Sequence, residues 1–218
     1  MNLQRIFGFL NELQQNNNRE WFRQNEAAYR QSVSLFEKFV QQLVIGINEF
    51  DPSIGHPEAK DCIFRIYRDV RFSHNKEPYK TNFGAYIAEG GKKSIKAGYY
   101  VHLQPGASFA GGGIYMPAPE ILKAIRSEIY YNTEEFKRIM GAKEFTTYFS
   151  GIYGDKLKTC PKDFPKDFPD ASLLVYKDYT VIHSFSDHEM FSENITDEIL
   201  KVFRAQHPFN DFLNNALE

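Results

Sequence analysis

Between Lys60 and Lys80 the chain reads KDCIFRIYRDVRFSHNKEPYK, and this stretch holds the residues best suited to chemistry. It contains six basic side chains (Lys60, Arg65, Arg68, Arg71, Lys76, Lys80) and three acidic ones (Asp61, Asp69, Glu77). In a chain of net charge −2, a local excess of three positive charges is the sharpest charge feature. The apolar pattern alternates: Cys62, Phe64, Ile66, Val70 and Phe72 fall on one side, and Arg65, Tyr67, Asp69 and Arg71 on the other. Read as a strand, the second set forms a row with neighbours about 7 Å apart. Guanidinium forks match the oxygens of phosphate or carboxylate, and lysine adds a compact positive charge. The expected anion site therefore comprises Arg65, Tyr67, Arg68, Arg71, Lys76, Tyr79, Lys80 and Tyr100. Asp69 and His102 are its candidate acid–base groups, with His74 an alternative partner for Asp69. A structural reading stands beside this one. Arg65, Asp69 and Arg71 can pair among themselves, and Arg68, which interrupts the apolar side, calls for a carboxylate of its own.

Other signals are weaker. Gly111-Gly112-Gly113 permits a bulge or a close backbone approach. No Gly-Lys-Ser/Thr follows and no helix opens there, so it is neither a P-loop nor a dinucleotide fingerprint. His183, Asp187, His188 and Glu189 can bind metals but lack a recognised spacing, so neither a metal nor a cofactor is expected. Cys62 sits on the apolar side of its segment and reads as an inert core thiol.

The elements that must position these residues follow from hydrophobic period. Leu3, Ile6, Phe7, Leu10 and Leu13 predict a first helix, and one of Asn16, Asn17 and Asn18 caps the next. Tyr29, Val33, Phe36, Val40, Leu43 and Ile47 predict a long buried helix ending at Asp51-Pro52. From about residue 62 to 116 the period falls to two. Four strands are expected there: 62–72, one carrying Phe83, Ala85 and Ile87, one carrying Tyr99, Val101 and Leu103, and one within 107–116. Helices return after Pro117 and Pro119, first with Ile121, Leu122, Ile125 and Ile129, then with Phe136, Ile139 and Met140. Residues 151–170, with KDFP twice in succession, predict an aromatic-anchored surface loop. Tyr179–Phe185 is a fifth strand. Ile195, Ile199, Leu200 and Phe203 mark a helix, and Pro208 opens a final one. The expected fold is α+β: one domain over residues 1–218, an antiparallel sheet of about five strands, and helices packed on one face.

The 218 residues include 20 Phe and 13 Tyr, enough for a sizeable core. The weak net charge gives no global field towards nucleic acid or membrane. No apolar run of about 18 residues suggests a membrane span. The start, MNLQRIFGFLNELQQNNN, lacks a signal-peptide pattern, and two distant cysteines suit free thiols in a reducing cytoplasm.

The chain also resembles the largely bacterial domain of unknown function 2461 family. The stretches that carry the resemblance are NNNREWFRQN, FRIYRDVRFSHNKEPYKTNFGAY, AGYYVHLQPG, GGGIYMPAPEILKAIR and PFNDFL, spanning about Phe9 to Leu217. One departure is His74-Asn75, where members carry a polar residue followed by Asp; Asn75 weakens an acid role there. The resemblance implies a small cytoplasmic protein and supplies no reaction. The sequence thus supports a protein that binds a small anionic or phosphorylated ligand, a nucleotide or metabolite, with an enzymatic role left open. The alternative is a protein or nucleic-acid interaction module that uses the same face without catalysis.

Overall fold

The computed structural model describes residues 3–218. Helix α1 (Gln4–Gln15) buries Ile6, Phe7, Phe9, Leu10 and Leu13. Asn18 then caps α2 (Arg19–Gln24), its side chain accepting from the Trp21 amide at 2.9 Å. Helix α3 (Glu26–Asn48) buries Phe36, Phe39, Val40, Leu43, Val44 and Ile47 along one stripe. It ends before Asp51, which caps a 3-10 turn at Pro52–Ile54. A single helical turn, α4 (Ala59–Cys62), precedes the sheet.

The sheet has four antiparallel strands in sequential order: β1 (Phe83–Ile87), β2 (Gly98–Leu103), β3 (Ser108–Ile114) and β4 (Tyr179–Phe185). Phe83, Ala85, Ile87, Tyr99, Val101, Leu103, Ala110 and Val181 are buried on its inner face. α3 packs on β1, and the long helix α9 (Ile195–Asn215) packs on β3. Phe36 stacks on Phe83 at 5.4 Å, and Phe203 meets Tyr99 at 5.2 Å. Burying each such ring contributes about 1.5–3 kcal/mol. Pro119 is the first residue of α5 (Pro119–Tyr131), where its missing N–H costs least. Helices α6 (Thr133–Gly141) and α7 (Lys143–Tyr148) follow, α7 being absent from the sequence expectation. Phe164 and Phe168 of the repeated KDFP anchor their loop on Tyr130. The one-turn helix α8 (Asp187–Met190) is closed by a capping box between Ser186 and Glu189. Among the described residues no helix is long and apolar enough to cross a membrane.

Two expectations are corrected. Residues 62–72, expected as the first of five strands, do not join the sheet, which therefore has four. Cys62 ends α4, Ile63 makes a lone bridge to Ala85, and the Phe64 amide donates to the Gly84 carbonyl. The chain then leaves the sheet and pairs with its own continuation. Tyr67 bridges Tyr79, the Arg68 amide donates to the Pro78 carbonyl, and the Lys80 amide donates to Ile66. The Asn17 amide takes the place of a neighbouring strand, donating to the Tyr79 carbonyl at 3.0 Å and accepting from its N–H at 3.1 Å. Alternation is therefore spent on a short folded-back loop, and Phe72 lies 95% exposed at its far end. The second correction is at Pro208, which lies inside the continuous α9 and opens no new helix. Pro208 has no N–H for the Arg204 carbonyl, but Phe203, Ala205, Phe209 and Phe212 are buried on both sides and hold the helix in one piece.

Candidate functional site

The outer face of the sheet carries the polar and aromatic groups. Antiparallel partners share a face, and the register pairs Tyr86 with Tyr100, Gly84 with His102, Tyr100 with Gly111, and His102 with Phe109. Phe64, alongside Gly84, extends the row, its ring meeting Tyr100 edge-on at 6.2 Å. His102 is the hub. Its Nδ1 lies 3.1 Å from Tyr100 Oη and 3.4 Å from Asn82 Nδ2, its Nε2 lies 2.9 Å from Gln104 Oε1, and its ring stacks on Phe109 at 4.7 Å. Gln104 Oε1 can only accept, so this network assigns the proton to Nε2. Nδ1 then accepts from the Tyr100 hydroxyl.

The surroundings hold both groups in those states. Burial pulls the His102 pKa below its usual value, against the Gln104 hydrogen bond and with the help of the Lys80 charge. Burial pushes the Tyr100 phenol up to about 12, with Tyr115 adding to the shift. The result is a neutral imidazole next to a protonated phenol.

Lys80 sits at the edge of this row, its Nζ 5.6 Å from the Phe64 ring centre. Burial lowers its pKa, and the neighbouring Arg65 charge lowers it further. Arg65 is exposed. Among the described residues neither Arg65 nor Lys80 forms an ion pair, whereas their neighbours do. Arg71 grips Asp69 through two bonds of 3.0 and 2.7 Å, which holds that carboxyl below the usual range. Arg68 donates to the Glu77 carbonyl at 3.1 Å and lies 3.9 Å from the Glu77 carboxylate. Lys76 caps the Val70 carbonyl at 3.1 Å. Tyr79 is buried, its ring stacked on Phe22 at 3.9 Å, and the half-exposed Tyr67 lies 5.5 Å from it.

Of the residues expected from sequence, the structure gathers Arg65, Lys80, Tyr100 and His102 at one end of the face. Arg68, Asp69, Arg71 and Lys76 are engaged within their own loop, and Tyr79 is part of the core. Asp69 is taken up by Arg71, so the partners of His102 are Tyr100, Asn82 and Gln104. Sequence reasoning missed four members of the site. Gln104 shares the parity of Tyr100 and His102, which was a usable signal. Phe64 was assigned to the wrong side, and Asn82 and Phe109 left no distinct trace.

The glycine run is structural. Gly112 and Gly113 adopt φ of 148° and 103°, and the Tyr86 hydroxyl crosses β2 to donate to the Gly113 carbonyl at 2.8 Å. His183 Nδ1 lies 3.0 Å from the Tyr148 carbonyl, and Asp187 accepts from the Gly106 amide. No group of three metal-capable side chains comes together among the described residues.

A family model described as a conserved hypothetical protein (DUF2461) matches residues 5–212. No curated protein and no solved structure matches the chain.

Proposed function

Because the chain belongs to the DUF2461 family of conserved hypothetical proteins, whose description carries no reaction, we propose a function from the site itself: binding of a small anionic or phosphorylated ligand on the outer sheet face. The observation that carries this reading is the contrast among the cations. Arg68 and Arg71 are paired with Glu77 and Asp69, while Lys80 and Arg65 repel one another and form no ion pair among the described residues, Asp69 reaching Arg65 only through a longer-range attraction. A phosphate or carboxylate placed there would relieve both the repulsion and the desolvation of Lys80. Phe64 and Phe109 offer ring faces for the body of a nucleotide or similar metabolite, and the Asn82 amide offers a donor. The neutral His102 beside the Tyr100 hydroxyl equips the site to move a proton, should the ligand be a substrate. A buried, unpaired Cys62, its thiol pushed up to about 11 by burial, suits a protein acting in the cytoplasm.

A thermal-shift screen of nucleotides, sugar phosphates and carboxylates against wild type, Lys80→Ala and Arg65→Ala tests this. At a hundredfold excess over Kd a ligand adds about 2.7 kcal/mol, or roughly 5–10 °C in Tm for a chain of this size. Both variants should lose that rise. The reading fails if no anion raises the wild-type Tm.

One observation favours a second reading, an interaction module. Phe72 is 95% exposed with the Arg71 guanidinium 5.9 Å from its ring, and the half-exposed Tyr67 belongs to the same loop. An aromatic–arginine tip of this kind suits docking onto a larger partner.

A further inference from the structure

A second concave feature lies far from the sheet face in sequence. Arg204, Pro208, Asp211 and Asn215 recur at helical spacing along α9 and form one wall of a cavity of about 520 Å³. Residues of α6 and α7 form the other wall. The volume falls in the range of small-ligand sites, about 300–1,000 Å³. Its bed is apolar, made by the buried Ile139, Phe145 and Phe212.

We propose that this cleft binds a ligand carrying a primary ammonium group on a short apolar body, with Asp211 as its anchor. The Asp211 carboxylate is fixed from behind. Its Oδ2 lies 3.3 Å from His207 Nε2. His207 Nδ1 lies 3.2 Å from the Tyr99 hydroxyl and 3.6 Å from Asp51 Oδ2, and Tyr99 donates to Asp51 at 2.7 Å. Asp51 is 5% exposed and also accepts from Ser53, so its charge is sealed in the core. Two aspartates bring two negative charges, and His207 can cancel at most one. The remainder reaches solvent only at Asp211, which is half-exposed on the cleft wall. Burial pushes the Asp211 carboxyl up, against the pull of His207 and with the help of the Asp51 charge, and a bound cation relieves this strain.

The rest of the lining agrees. Glu144 faces the cleft from α7 and has no ion pair among the described residues. Of the two arginines, Arg138 lies 3.6 Å from Glu135 and Arg204 lies over the Phe50 ring at 4.7 Å, so both are engaged. Pro208 adds a backbone acceptor to this stretch, because the Arg204 carbonyl has lost its helical donor.

The test is NMR titration of the full chain with hexylammonium, hexanoate and hexanol, followed at the signals of Ile139, Phe145 and Phe212. Hexylammonium should shift all three saturably, and Asp211→Asn should weaken it by at least about tenfold, the effect of losing about 1.4 kcal/mol. Glu144→Gln, at an exposed position that leaves the fold intact, should weaken it several-fold and decides the matter should Asp211→Asn disturb folding. The proposal is overturned by absence of saturation up to about 10 mM, a range that includes millimolar Kd. It is equally overturned by hexanoate or hexanol binding as tightly as the amine, or by unchanged affinity in Glu144→Gln.

Discussion

Gly84 on β1 makes room for Tyr100, its diagonal neighbour on β2: a Cβ at residue 84 would collide with the Tyr100 phenol oxygen, which instead lies 3.1 Å from His102 Nδ1. The absence of one methyl group is what lets the phenol lie down beside the imidazole. Gly84→Ala should swing the phenol away and leave His102 without its donor. Because the displaced atom is the end of a side chain, the loss of stability should be modest, about 1–3 kcal/mol. Denaturant unfolding measures the first effect. The second appears as a change in the His102 ring signals, and unchanged signals would refute this fit.

His102 also sets a pH dependence. Its pKa in the folded protein is lower than in the unfolded chain, so the unfolded state binds the proton first as pH falls. The neutral ring therefore stabilises the fold fully above the unfolded value, near 6.5, and the contribution is lost as pH drops from there through the folded pKa. Stability should fall over that window in wild type and fall less in His102→Gln. An NMR titration should place the His102 midpoint below 6.5. A midpoint above 6.5 would mean that Lys80 and burial do not govern this ring.

Lys80 is a site where binding and stability oppose one another. Its charged form is disfavoured by burial and by Arg65, so replacing it removes an unfavourable term. Lys80→Met, which keeps the apolar stem beside Phe64, should raise stability at neutral pH by up to about 1 kcal/mol, since solvent screening limits the gain at a half-exposed group. The same variant should abolish the Tm rise produced by any anion found in the screen. A less stable Lys80→Met with undiminished anion binding would remove the basis of the proposed site.

Helices α1, α3, α5 and α6 and four strands were legible because their apolar residues repeat at the period of the element that buries them. Residues 62–72 misled because the alternation is real but its partner is not a strand. Asn17, 62 positions before Tyr79, supplies the hydrogen bonds that an adjacent strand would have given. Such a substitution leaves no local pattern. The same is true of α9, where burial of Phe203 and Phe209 overrides the breaking tendency of Pro208. Within the site, the parity of Tyr100 and His102 could be read directly. The lack of an ion pair at Arg65 and Lys80 could not, since it depends on Glu77 and Asp69 choosing Arg68 and Arg71. The polar string from Asp51 through Tyr99 and His207 to Asp211 joins the 3-10 turn after α3 to β2 and α9, and each member alone reads as an ordinary surface or core residue.

Phe72 separates the two functional readings. It is 95% exposed, so Phe72→Ala should change stability by no more than about 0.5 kcal/mol. It lies at the far end of the loop that folds back at Tyr67 and Tyr79, away from Lys80, so a small anion should bind the variant as it binds wild type. A macromolecular partner that docks on the aromatic–arginine tip should instead lose affinity, by about 2 kcal/mol or more if Phe72 is a hot spot. Salt provides an independent check for a nucleic acid, whose affinity should drop by orders of magnitude between low and moderate ionic strength. Calorimetry on wild type and Phe72→Ala at two salt concentrations therefore distinguishes them: equal small-anion affinity in both proteins supports the pocket, and a loss confined to a large, salt-sensitive partner supports the module.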